Sequence, residues 1–180
     1  MRRPAIFFLL STLACGWAWA GGNQSSAGAV TAVKIVRPIA LRKTQDLWFG
    51  ALLVDPGAAD RKIKQHAGIG GGTREPDPPG VTQVALGSEH WRNAEFEIQG
   101  EPEASFYVTL PAGAVQIPNT TGAGPGLTLY LDVPKFNYYV DNSIGTDGKT
   151  TMWIGGQLNL TENPSPGHYR AQFPVTVTYY

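Results

Sequence analysis

Apolar and polar residues alternate along most of this chain, and outside the first twenty residues no stretch sustains helical spacing. The sharpest alternation closes the sequence. Between residues 167 and 180, Tyr169, Ala171, Phe173, Val175, Val177 and Tyr179 are apolar or aromatic, and the positions between them, Pro174 aside, hold Arg, Gln and Thr. Period two over eleven positions describes a strand with one buried face. At roughly 1.5–3 kcal/mol for each larger side chain, the stripe supplies on the order of 10 kcal/mol. That matches the whole stability of a typical domain, so this strand is expected to be structural. Pro174 has no N–H for a ladder, which places an edge or a bulge beside it.

Other strands read in the same way. Ala94, Phe96 and Ile98 alternate with Glu95, Glu97 and Gln99, and Phe106, Val108 and Leu110 alternate with Tyr107 and Thr109. The turn at 100–103 between them predicts a hairpin with one apolar face. Leu127, Leu129, Leu131 and Val133 form another alternating set, and 135–140 is aromatic and strand-prone. Val33, Ile35, Ile39 and Leu41 share a parity broken by Arg37, with Pro38 marking an edge. Residues 47–54 are densely apolar and fit a buried strand with a bulge near Gly50. Residues 61–66 read as a short polar strand and 81–86 as a further strand. Trp153 falls on one parity and Leu158 and Leu160 on the other, with a bulge expected at Gly155-Gly156; residues 163–167 are expected to close the last hairpin. The 22 glycines and 14 prolines punctuate these runs at short intervals, so the class is all-β, an antiparallel sandwich of immunoglobulin-like type.

The beginning of the chain has a different character. Arg2 and Arg3, an apolar run over 6–13 and the small-x-small site Ala18-Trp19-Ala20 read as a secretory signal peptide over 1–20. The apolar run falls short of the ~20 residues that span a membrane, so no membrane insertion is expected after cleavage. Thr12-Leu13-Ala14 before Cys15 lacks the Leu three places ahead that a lipobox favours. Cleavage would remove the only cysteine and leave a disulfide-free domain in an exporting compartment: periplasm, cell surface or extracellular space. Residues 21–32 form a flexible extension, and 33–180 form one sandwich domain, long enough to hold by burial alone. Loss of Arg2 and Arg3 changes the charge from balanced to −2, with no basic run, which argues against nucleic acid as a partner.

Candidate chemistry is sparse. His66, His90 and His168 are far apart and sit among polar or turn residues, without metal-ligand spacing. Glu101 and Glu103 flank a turn, and Asp55, Asp60 and Asp77 lack calcium-loop spacing. Residues 68–72 are glycine-rich, but no Gly-Lys-Ser/Thr ending and no helix pattern follow, so they read as a mobile loop. The expectation is no enzyme, no metal and no cofactor. Trp48, Trp91, Trp153, Tyr107, Tyr130, Phe136, Tyr138 and Tyr139 are many for this size; core filling is expected to account for most, and an outward strip for glycan or protein contact for the rest.

Gly167, fourteen places from the end, and the penultimate Tyr179 frame a terminal stretch that resembles the last strand of chaperone–usher pilin subunits. The run Pro166-Gly167-His168-Tyr169, with Phe173-Pro174-Val175-Thr176-Val177-Thr178-Tyr179, also resembles the ends of spore coat U proteins and of a domain-of-unknown-function family of secreted bacterial proteins. The latter adds segments similar to Thr44-Gln45-Asp46-Leu47-Trp48-Phe49-Gly50 and Gly155-Gly156-Gln157-Leu158-Asn159-Leu160, so the resemblance covers roughly residues 35–180. It implies a pilin-like sandwich and a surface, fimbrial or adhesive role, with self-assembly or a periplasmic chaperone and usher as partners. The absence of a disulfide departs from many pilins. In that reading Gly167, Tyr169, Phe173, Val175, Val177 and Tyr179 are the assembly motif, and Ala27, Ala29, Val33 and Ile35 are the apolar face of a donor strand. The alternative is a self-complete secreted sandwich that binds a protein or glycan without polymerising.

Overall fold

The computed structural model describes residues 27–57, 61–86, 90–131 and 138–180. The expected signal peptide with Cys15, residues 21–26, Asp60, Val133 and Phe136 lie outside the described residues. The chain divides into two compact units, Met1–Lys34 and Ile35–Tyr180. Residues 27–34 of the first have no regular secondary structure; the second contains every strand named below.

Thirteen strands are present among the described residues: β1 (Ala40–Gln45), β2 (Ala51–Val54), β3 (Lys62–His66), β4 (Thr73–Arg74), β5 (Val81–Val84), β6 (Ala94–Gln99), β7 (Phe106–Thr109), β8 (Ala114–Ile117), β9 (Leu127–Tyr130), β10 (Tyr138–Tyr139), β11 (Lys149–Ile154), β12 (Gly156–Asn159) and β13 (Thr176–Tyr179). A 3-10 turn covers Ile69–Gly71. One sheet has the order β1-β6-β11-β10 and another the order β4-β3-β12-β9-β8; β13 pairs with β7 and β2 with β5. All these pairings are antiparallel.

The protein is an all-β antiparallel sandwich, and alternation builds its core. Ala94, Phe96 and Ile98 of β6 and Met152 and Ile154 of β11 are buried from one sheet; Ile63, Leu129 and Leu158 are buried from the other. Phe106, Ile144 and Leu131 belong to the same cluster. The intervening Glu95, Glu97 and Thr151 lie less deeply, as a sheet with one solvated face requires.

Several local expectations are corrected. Residues 94–99 and 106–110 do not form a hairpin. Both edges of β6 are already taken, by β1 and β11. The chain therefore turns at Glu103 (φ 61°) and delivers β7 to β13. Gly155-Gly156 is not a bulge in one strand but the crossing between two sheets. β11 pairs with β6, whereas β12 pairs with β3 and β9. Met152, Ile154, Gly156, Leu158 and Leu160 remain buried on one unbroken parity through the crossing. The last segment is no hairpin partner of β12: β13 runs along β7, and Tyr169 bridges Asn119. Residues 47–54 are not buried on both faces, since Leu53 is 59% exposed while Leu52 and Val54 pack inward. The strand expected from Val33 begins instead at Ala40. The described aromatics expected to fill the core are half-buried or exposed; Phe96 and Phe106 occupy it.

Buried polar side chains brace the loops. Arg61, 2% exposed, donates to the carbonyls of Asp55 (2.5 Å) and Gly80 (3.1 Å). Gln65 Nε2 donates to Trp48 O, and Asn93 Nδ2 to His66 O and Gly71 O. Composition alone does not mark these three as interior residues.

Candidate functional site

β1 and β13 are among the strands with an edge that no described strand pairs. β1 is the outer strand of its sheet, and β13 has β7 on one side only. The two approach one another without forming a ladder. Phe173, Val175, Val177 and Tyr179 project from the last segment onto the core, yet all four are half-buried. Gln172, Pro174, Thr176 and Thr178 between them are exposed, so the period-two reading holds. Ala171 departs from it and is exposed, and 171–175, with Pro174, carry no strand pairing. On the other side of the gap Ile39 and Leu41 are also half-buried against the core. Half-buried apolar side chains from both strands thus line a strip, called the groove below, beside two backbone edges that no described strand pairs.

Both ends of the last segment are anchored. At its start, Asn119 Oδ1 accepts from the N–H groups of Thr121 (3.0 Å) and Gly122 (2.8 Å), the self-bonded turn that asparagine favours. Asn119 Nδ2 reaches Pro166 O at 3.3 Å. Thr120 N–H and Oγ1 both donate to His168 O, at 2.7 and 2.9 Å. Thr121 Oγ1 accepts from His168 N–H at 2.8 Å. Gly167 sits where a Cβ would come within 2.4 Å of Asn119 Oδ1, at φ 153°. A glycine at this place is therefore a packing requirement. Tyr169 adds a hydrogen bond from its hydroxyl to Ser165 O at 2.6 Å.

At the far end, the Tyr179 hydroxyl accepts from Glu101 N–H at 2.7 Å and donates to Arg37 O at 2.9 Å. Arg37 N–H donates to Glu101 Oε2 at 3.2 Å. These three residues close a ring that ties the penultimate residue to the approach to β1. A recess of about 240 Å³ opens beside it, lined by Val36, Glu101, Ala104, Ser105, Tyr179 and Tyr180. The candidate donor residues Ala27, Ala29, Val33 and Ile35 fall in a stretch, 27–39, without strand pairing. Val33 is 88% and Ile35 91% exposed.

Charge elsewhere serves the surface. Lys64 Nζ and His66 Nε2 each lie 3.1 Å from Glu75. Burial would raise the Glu75 pKa, but these hydrogen bonds and charges outweigh it and hold the carboxyl below its ordinary value. Glu97 is likewise lowered, first by a hydrogen bond from Gln99 and then by Lys149 and Arg42. His90 and His168 are exposed. Among the described residues no group of three His, Cys, Asp or Glu side chains gathers as a metal site would need.

The model of a family described as Domain of unknown function (DUF4402) matches residues 39–179. The chain belongs to this family. No curated protein and no solved structure matches it. The DUF4402 match starts at Ile39, on one flank of the groove, and ends at Tyr179, on the other. The groove thus lies within the family's domain, while residues 27–38 precede it.

Sequence reasoning found the row on the last strand, Gly167 and Tyr179. It missed their partners Asn119, Glu101 and Arg37. Only Arg37-Pro38, an interruption in an otherwise apolar parity, carried a signal.

Proposed function

We propose that this domain is an exported, non-enzymatic structural or adhesive subunit that assembles by accepting a strand from a neighbouring copy between β1 and β13. The observation that carries the reading is the half-buried row Phe173, Val175, Val177 and Tyr179, which runs into the unpaired edge of β13. Such an edge is a liability unless something covers it, and an added strand supplies ladder hydrogen bonds and apolar cover together. The chain carries a matching segment. Ala27, Ala29, Val33 and Ile35 share a parity, and nine residues from 27 to 35 reach about 30 Å when extended at ~3.3 Å each. Residues 171–179 have the same length. The terminal likeness to chaperone–usher pilins and spore coat U proteins supports this reading, with a periplasmic chaperone and usher as assembly partners. The signal-like first twenty residues support export to the periplasm, cell surface or extracellular space.

Analytical ultracentrifugation of the chain from residue 21 tests it, with chaperone and usher co-expressed where the neighbouring genes encode them. Multimers are expected, and deletion of 21–31 should leave a folded monomer that binds a synthetic 27–35 peptide. A full-length chain that stays monomeric at high concentration and ignores the peptide overturns the reading. One observation would then favour a self-complete binding module. On the outer sheet face the rings of Tyr139 and Trp153 lie 6.1 Å apart, and Trp153 Nε1 donates to Glu95 Oε2 at 3.3 Å. An aromatic pair beside a carboxylate suits a glycan or protein ligand.

A further inference from the structure

We propose that Pro38, with Arg37 held by Tyr179 and Glu101, bars residues 27–35 from closing their own groove and so keeps them available to a second copy. This rests on the strand-addition reading above and concerns how that site avoids satisfying itself.

The difficulty is one of distance. The segment enters the domain at Arg37, which is bonded to Tyr179 at the end of β13. β1 starts at that same end, three residues later. A segment joined so closely to its own groove has a far higher effective concentration there than any neighbour has. To use it, residues 27–35 would double back beside β1 as a hairpin, turning within 36–39.

No two-residue turn is open to that sequence. Two-residue hairpin turns need φ above zero at their first central position, and type I′ needs it at both. Proline is locked near φ −65°, so Pro38 cannot stand first, nor second in a type I′ turn. With Pro38 second in the other type, Arg37 would need the left-handed region, from which a following proline drives it into extended backbone. With Val36 and Arg37 central, Pro38 would have to close the turn with an N–H that it lacks. A turn further along would consume β1, where Ala40 already faces Gln99. A longer loop must release Arg37, whose N–H is given to Glu101 Oε2 and whose carbonyl receives the Tyr179 hydroxyl. Tyr179 is in turn fixed by Glu101 N–H. The proline removes the short route and the ring of hydrogen bonds obstructs the long one. Ile35 is 91% exposed.

Hydrogen–deuterium exchange over residues 27–36 tests this in the chain from residue 21, at concentrations where it is monomeric. Arg37 and Pro38 are both exposed, so replacing them leaves the core intact. The Arg37→Asn/Pro38→Gly double variant installs an Asn-Gly turn of the kind hairpins favour. Its 27–36 amides are expected to exchange about tenfold or more slowly than in the original chain, as a locally closed segment does. Its sedimentation should stay monomeric at every concentration. Arg37→Asn alone, which retains Pro38, should exchange like the original. Tyr179→Phe, which frees the Arg37 carbonyl, should slow exchange by about threefold. Protection of 27–36 already present in the original monomer, or none gained in the double variant, overturns the proposal. So does protection in Arg37→Asn alone, or an unchanged rate in Tyr179→Phe. The exchange contrast is read on monomers, so failure of the chain to multimerise would count against strand addition and leave this result to be judged separately.

Discussion

Gly100→Ala probes the anchor of the last strand directly. Gly100 is buried at the end of β6, and its N–H donates to Gly148 O at 3.0 Å. A Cβ there would stand 2.2 Å from Tyr179 Oη, 3.2 Å from Tyr179 Cζ and 2.7 Å from Ile144 Cδ1. Non-bonded heavy atoms of this kind settle near 3.5–4.0 Å, so the ring must retreat by about 1 Å. That breaks the hydroxyl's bonds to Glu101 N–H and Arg37 O, each worth about 0.5–1.5 kcal/mol net. Crowding against Ile144, 1% exposed, adds about 1–3 kcal/mol. The stiffer unfolded chain returns about 0.4–1 kcal/mol. The net expectation is a loss of about 2–4 kcal/mol, a large part of a domain's stability. Urea unfolding should show a lower midpoint at constant slope. The mechanism predicts coupling as well. Tyr179→Phe removes the hydroxyl and its two bonds at about 1–3 kcal/mol. With the hydroxyl gone, Gly100→Ala should cost only the crowding against Ile144, so the double variant loses less than the two single losses added. Additivity within about 0.5 kcal/mol would refute the proposed clash.

Three further outcomes are expected. Phe173→Ala should cost about half of the ~3–5 kcal/mol of a fully buried phenylalanine, while exposed Gln172→Ala stays within ~0.5 kcal/mol; equal shifts in urea melts would mean that the row does not face the core. Glu75 should titrate below its ordinary value of 4.5 by NMR, and Lys64→Ala should raise it. Because the folded carboxyl binds its proton less readily than the unfolded one, its stabilising contribution is present above the ordinary value and fades as pH falls through the lowered folded value. Mass spectrometry of exported protein should find Gly21 as the first residue, and an intact Met1 or a lipidated Cys15 would refute the cleavage.

Parity was legible in the sequence; partners were not. Ala94, Phe96 and Ile98 alternate because a pleated strand points successive side chains to opposite faces, and that rule needs no tertiary knowledge. Whether β6 then pairs with β7 depends on which edges are already occupied, and the strands that occupy them lie far away in the chain. The same gap explains Gly155-Gly156: a crossing between sheets and a bulge share one local signature, two glycines inside an alternating run. The last segment was legible as two-faced, but half-burial of Phe173 and Val177 reflects what does not lie over them, which the segment itself cannot encode. Gly167 and Tyr179 stood out through resemblance, while the reasons for them, Asn119 in one case and Gly100, Glu101 and Arg37 in the other, lie scattered through the chain.

The hydrogen bond between Tyr179 and Arg37 joins residues 142 positions apart. Its consequence is kinetic. A chain delivered N-terminus first cannot settle the approach to β1 until Tyr179 has arrived. β13 cannot pair with β7 before that moment either, although β7 emerges long before. Folding dominated by such non-local closures proceeds in milliseconds to seconds, not microseconds.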